Sequence, residues 1–199
     1  MEFNYNERSS LREKADYASK FRCNTFICVI ENPKNIANVA AVIRNIDTLG
    51  IAKLYVVDGF KILKQEWENM RTNKHLNTIS SSAIKWTFVK TFETTEECMN
   101  HLKEKNFVSM VTSPHTTEIV PNVSLSKGAF TQKKLAIWFG NETHGITDEA
   151  ISKSIGCVQI ETAGIVESLN LAVSTGIVLY FIAQKRRQFT ELKDTADKN

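Results

Sequence analysis

The stretch "FGNETHGITDE", residues 139–149, sets Glu142 and His144 between Gly140 and Gly145, just past the apolar run Leu135–Phe139. Glycines placed after a buried strand let a backbone come close to a ligand. A phosphate loop of the G-x-x-x-x-G-K-[ST] kind also needs a lysine after its second glycine to reach the phosphates. Ile146 stands there, so a nucleotide-dependent enzyme of that type is disfavoured. Glu142 reads either as a solvated loop carboxylate or as a functional group. His144 has no companion at metal-ligand spacing.

Two further stretches carry polar side chains at sites of interest. In "NPKNIANVAAVIRN", residues 32–45, Arg44 falls on the side of a helix opposite its apolar stripe, and Asn38 also suits a helix start. Taken singly, they are a surface arginine and a capping residue. Both follow a strand end, however, and α/β sheets build their sites there. In "IETAGIVESLNLAVSTG", residues 160–176, Gly164 turns the chain after a strand. Ser168 then suits a helix N-cap with Asn170 in the first turn.

The elements that must position these groups alternate along the chain. Strand-like runs occupy residues 25–30, 53–57, 86–89, 107–112, 135–139 and 157–160. Val39, Val42, Ile43, Ile46 and Leu49 recur at helical spacing in 36–49. Residues 94–106 and 147–154 open with capping threonines followed by acidic residues. The alternation predicts an α/β fold with a mostly parallel sheet and helices on both faces. The last helix, 168–188, is apolar around most of its circumference, which predicts burial in the core or against another subunit. Its "QKRRQ" end suits either the helix dipole or an RNA contact.

A chain of 199 residues with 42% hydrophobic and 24% charged residues fits one globular domain. We divide it into a short helical extension (1–22), the main domain (23–189) and a charged, frayed tail (190–199). A net charge of +3 neither requires nor excludes nucleic acid. The four cysteines lack CxxC spacing, which points to packed thiols and no metal. With no signal core and no apolar run long enough for a bilayer, we expect a cytoplasmic protein without membrane contact.

Jointly and in this order, the three stretches resemble the SpoU (TrmH-type) RNA 2′-O-ribose methyltransferases of the SPOUT superfamily. The family pattern N-x-x-x-x-x-R, F-G-x-E-x-x-G and S-L-N corresponds to Asn38…Arg44, Phe139-Gly140…Glu142…Gly145 and Ser168-Leu169-Asn170. Ala37 stands where the family usually has proline before the first asparagine. "GITDEA" and "SSSAIKW" resemble the branch acting on guanosine in the tRNA D-loop. The resemblance implies a deep C-terminal trefoil knot and a homodimer. It also implies S-adenosylmethionine as cofactor, contacted by Thr112, Gly140, Ile160 and Leu169. Arg44 would act on the ribose hydroxyl, with Asn38, Glu142, Ser168 and Asn170 orienting it, some of them across the dimer. The substrate implied is RNA, tRNA before rRNA. A catalytically inactive RNA-binding knot protein is the alternative.

Overall fold

The computed structural model describes residues 11–63 and 67–196. After helix α1 (Leu11–Ser19), the chain builds β1 (Cys23–Glu31), α2 (Ile36–Thr48), β2 (Ile51–Val57), α3 (Trp67–Met70), α4 (Lys74–Ile79) and β3 (Phe88–Phe92). There follow α5 (Thr95–Glu104), β4 (Val108–Thr112), β5 (Asn122–Ser124), β6 (Leu135–Phe139), α6 (Asp148–Ser152), β7 (Cys157–Gln159) and α7 (Leu171–Ala196). The seven strands form one sheet in the order β3-β2-β1-β6-β4-β7-β5. Every pairing is parallel.

Parallel strands need crossovers and are covered on both faces, so central strands read as continuous apolar runs. β6 is buried at all five positions and β1 from Phe26 to Glu31. On one face Val39, Val42, Ile43 and Ile46 of α2 pack with Val178, Leu179 and Ile182 of α7. On the other, Cys98 and Leu102 of α5 and Ala150 and Ile151 of α6 close over Val29, Tyr55 and Trp138. Three of the four cysteines are buried, and all four are free thiols.

Several elements differ from the sequence reading. The predicted strand 86–89 slides to Phe88–Phe92, because a 3-10 turn at Ala83–Lys85 ends just before it. β5 falls outside the predicted strands; its three residues lie at the sheet edge, too few to show a period. The last helix begins at Leu171 rather than 168, since Asn170 Oδ1 accepts from the backbone N–H groups of Ala172 (2.8 Å) and Val173 (3.4 Å). Asn170, and not Ser168, is therefore the cap. The helix also continues to Ala196 through most of the segment read as a frayed tail. Residues 1–10 of the proposed N-terminal extension and 197–199 of the tail lie outside the described residues.

That extension places the basic cluster in mid-helix, away from the negative end of the helix dipole. Lys185 Nζ donates to the carbonyls of Ser126 and Gly128, both at 2.7 Å. Arg186 Nη1 donates to the carbonyls of Phe130 (3.1 Å) and Gln132 (2.6 Å), and Arg187 Nη2 to that of Leu49 (2.9 Å). The three cations pin α7 to the ends of neighbouring loops.

Over residues 171–183 α7 is apolar around most of its circumference, yet the chain covers only about half of that stretch. Leu171, Thr175, Val178, Leu179 and Ile182 are buried. α2 lies against α7 at Gly176, where a Cβ would stand in ordinary contact, 3.4 Å from Asn45 Nδ2, and that same nitrogen donates to the Ala172 carbonyl at 2.7 Å. The outer stripe of Val173, Ile177 and Tyr180 remains 49%, 40% and 54% exposed.

Candidate functional site

All the candidate side chains but Arg44 gather at the carboxyl ends of β1, β4, β6 and β7, around a cavity of about 460 Å³. Open α/β sheets place ligands at this end, beside the point where strand order reverses. Here the chain runs outward from β1 to β3 and then resumes on the other side of β1. Thr112 at the end of β4 donates from Oγ1 to the Trp138 carbonyl at 2.9 Å, and it lines the cavity. Gly140 follows β6, Ile160 follows β7, and Ser168 and Leu169 lie in the segment before α7; all four line the same cavity. The structure thus brings together the four residues assigned to the cofactor.

The turn after β6 is built to hold one shape. Asn141 and Gly145 exchange both backbone hydrogen bonds, at 2.8 and 2.9 Å. Asn141 Oδ1 accepts from the backbone N–H groups of Thr143 (2.8 Å) and His144 (3.1 Å), while its Nδ2 donates to the Asn32 carbonyl. A Cβ on Gly140 would lie 2.1 Å from both Gly145 C and Ile146 N. This corrects the reason for the glycine: the close approach at residue 140 is to the turn's own backbone. Gly145 has φ +70°, the left-handed region that favours glycine.

One buried carboxylate anchors this turn, and sequence reasoning passed it over. Glu31, 1% exposed at the end of β1, accepts from Thr147 N (2.9 Å), Thr147 Oγ1 (2.8 Å) and Thr95 Oγ1 (2.5 Å). It joins the starts of α5 and α6 to the central strand. A charged residue ending an otherwise apolar strand run was the available signal. Glu31→Ala leaves the buried Thr95 hydroxyl without its acceptor, which costs about 1–3 kcal/mol, while the exposed Thr147 groups turn to water. We expect a lower urea midpoint with an unchanged m value.

Asn38 and Glu142, 104 residues apart in sequence, meet here. Asn38 Nδ2 donates to Glu142 Oε1 at 2.8 Å, and the Lys34 backbone N–H donates to Oε2 at 2.9 Å. Asn170 Nδ2 in turn donates to Asn38 Oδ1 at 3.3 Å. Asn38 is thus a bridging amide inside the first turn of α2, while Asn35 supplies the cap, accepting from Ala37 N. Partial burial pushes the Glu142 carboxyl up. The hydrogen bonds from Asn38 and Lys34 outweigh that and hold it below the usual range. Glu142 is therefore a fixed anion near neutral pH, suited to orienting groups and poorly suited to accepting a proton. Ser168 and Asn170 lie at the same rim, and His115 Nε2 stands 3.8 Å from Glu167 there.

Arg44 is not brought in. Six helical residues separate it from Asn38, about 9 Å along the axis and on a different side. It is exposed, does not line the cavity, and has no hydrogen-bond or ion-pair partner among the described residues. Among those residues no group of three or more His, Cys, Asp or Glu gathers that could hold a metal, and no helix is long and apolar enough to cross a membrane.

A parallel seven-stranded sheet with a glycine-closed turn and a carboxylate–amide cluster at one rim defines a ligand-binding α/β protein. Residues 25–180 match the SpoU rRNA Methylase family, and the chain belongs to that family. It is 30% identical over 154 residues to the tRNA (guanosine(18)-2′-O)-methyltransferase of Escherichia coli K12, covering 76% of this chain and 59% of the relative. The enzyme of the same name from Thermus thermophilus is 25% identical over 166 residues, 83% and 77% of the two chains. Among solved structures, the Aquifex aeolicus TrmH/SpoU tRNA modifying enzyme superposes with TM-score 0.73 at 22% identity, covering 90% of this chain and 85% of that one. The SpoU methyltransferase AviRb of Streptomyces viridochromogenes, solved with AdoMet, gives 0.67 at 19%, covering 85% and 64%.

Proposed function

We propose that this protein is a cytoplasmic S-adenosylmethionine-dependent methyltransferase acting on a ribose 2′-hydroxyl of RNA, with tRNA, at a D-loop guanosine, as substrate. The observation that carries the reading is the cluster of Asn38, Glu142 and Asn170 at the mouth of a ligand-sized cavity. Relatives named for the tRNA guanosine-18 reaction support the substrate class.

The cavity residues suit the cofactor. Ile160, Leu169 and Val178 offer apolar walls, and the constrained backbone of 139–146 offers fixed polar groups beside them. When bound there, S-adenosylmethionine supplies a methyl already activated by its sulfonium. The protein's own task is alignment and removal of a proton. Glu142 and Asn38 hold each other in one orientation, and Asn170 fixes the Asn38 amide. The Arg44 guanidinium acts by stabilising the developing alkoxide and gripping the adjacent phosphate.

Because Arg44 lies away from this cavity in its own chain, we assign the arginine of each site to a second copy. The uncovered stripe of α7 supports such a homodimer. The knotted path of residues 160–196 belongs to the same reading, supported by Ile160, Thr162, Ser168 and Leu169 lining one cavity with the 140–146 turn and Thr112. Ile177→Asp puts a charge on the exposed stripe without entering the chain's own core. It should give a folded monomer by light scattering with methyl transfer lost. Val178 is buried within the chain and would confound that test.

The direct assay uses labelled S-adenosylmethionine and a tRNA transcript, with the product mapped for 2′-O-methylation. Transfer to a ribose hydroxyl is expected. Cofactor binding with no transfer to tRNA or rRNA would favour an inactive RNA-binding protein.

A further inference from the structure

The opposite, amino end of the sheet carries a second concavity of about 430 Å³. Four lysines converge on it from different elements: Lys53 of β2, Lys90 of β3, Lys105 after α5 and Lys134 before β6. No carboxylate is among its lining residues.

Ordinary structural roles explain only part of this gathering. Lys134 Nζ donates to the Lys105 carbonyl at 2.9 Å, answering the negative end of α5. Lys90 Nζ lies 3.4 Å from His101 Nδ1 and 4.9 Å from the centre of the Phe92 ring. The ammonium groups of Lys53 and Lys105 have no partner among the described residues. Lys53 shares its strand face with Tyr55 and Val57, both core residues, so alternation calls for another apolar side chain there. Across the β2–β3 pair, Tyr55 faces Lys90, and Lys53 faces half-exposed Phe88. The apolar face turns basic at its open edge. A helix C-terminus carries about half a negative charge, too little for four ammonium groups. His101 senses the excess: burial first, then Lys90 and Lys105, hold its pKa below the ordinary value against the weaker pull of Glu104 and Glu97.

We propose that this pocket binds a phosphate group and that the phosphate belongs to the backbone of the RNA substrate. The assignment to RNA rests on the methyltransferase reading above. Several lysines around one concavity fit a phosphate oxyanion, and the half-exposed Phe88 ring beside them offers a stacking surface for a base. Six residues of extended chain, Lys134 to Gly140, separate the pocket from the transfer site. At about 3.3 Å per residue this is roughly 20 Å, a span a folded RNA bridges and a mononucleotide does not.

The test uses the full chain with Lys53→Ala/Lys105→Ala and, separately, Lys53→Glu, none of them at the methyl-transfer cavity. Affinity for a tRNA transcript is measured from about 50 to 200 mM salt, with S-adenosylmethionine affinity as the control. We expect RNA affinity to fall about tenfold in the double variant and the salt slope to drop by about 0.7–0.9, one phosphate contact's worth. KM for RNA should rise while kcat and cofactor affinity hold. Wild-type RNA affinity and slope in both variants overturn the assignment to RNA. A separate titration with inorganic phosphate follows the His101 ring protons by NMR. A shift that the double variant abolishes, with RNA binding untouched, makes the pocket a site for free phosphate. If the wild type binds cofactor but no RNA, the RNA reading itself fails. The phosphate titration then still decides the pocket, since no shift removes it.

Discussion

Arg44→Ala should lower single-turnover methyl transfer roughly 10²–10³-fold, the effect of removing one electrostatic stabiliser from a reacting oxygen. Folding and S-adenosylmethionine binding should stay near wild type, because Arg44 is exposed, has no bonding partner among the described residues and does not line the cavity. Arg44→Lys keeps the charge but loses the planar fork, so it should restore little. The site geometry adds a second expectation. If the arginine comes from a second copy, mixing Arg44→Ala chains with Glu142→Ala chains should regenerate activity in heterodimers holding one intact site. Full activity in Arg44→Ala alone would reduce the residue to a solvated helix arginine. No recovery on mixing would return it to the site of its own chain.

Gly140→Val should abolish cofactor binding in a chain that still folds. A Cβ at residue 140 would overlap backbone atoms at 2.1 Å, so the turn from 140 to 147 must open. That turn lines the cavity and carries Glu142, which would then leave Asn38. Loss of affinity beyond about tenfold, at least 1.4 kcal/mol, is expected by calorimetry. Gly145→Ala is the informative control. Nothing lies within 4 Å of its added methyl, so only the positive φ opposes it, at a cost of about 1–2 kcal/mol. Unchanged affinity in Gly140→Val would place the cofactor elsewhere.

Local pattern alone determined the alternation of strands and helices. β1, β2, β4, β6 and β7 coincide with apolar runs, because strands buried on both faces leave little room for polar residues. Thr147 caps α6 as read, and of the two candidates Thr94 and Thr95 it is Thr94 that caps α5, since an N-cap hydroxyl satisfies N–H groups within a few residues of itself. The residues around the cavity were legible only as three separate motifs. Each of Asn38, Glu142 and Asn170 fits a bland local role, and their meeting spans up to 132 residues.

Tertiary structure decided what local signals cannot encode. Gly140 is required by a backbone contact five and six residues away, across a turn whose shape Asn141 sets. Glu31 is an anchor because two helix starts converge on one strand end, and nothing near it in sequence marks that convergence. The cations of "QKRRQ" became staples once α7 ran past them and two distant loops offered their carbonyls. The apolar circumference of α7 was plain in the sequence. Which half faces α2 and which stays uncovered depended on where Asn170 starts the helix and on Gly176 meeting Asn45. Periodicity sets what a segment can bury, and only the packed chain sets which partner it is buried against.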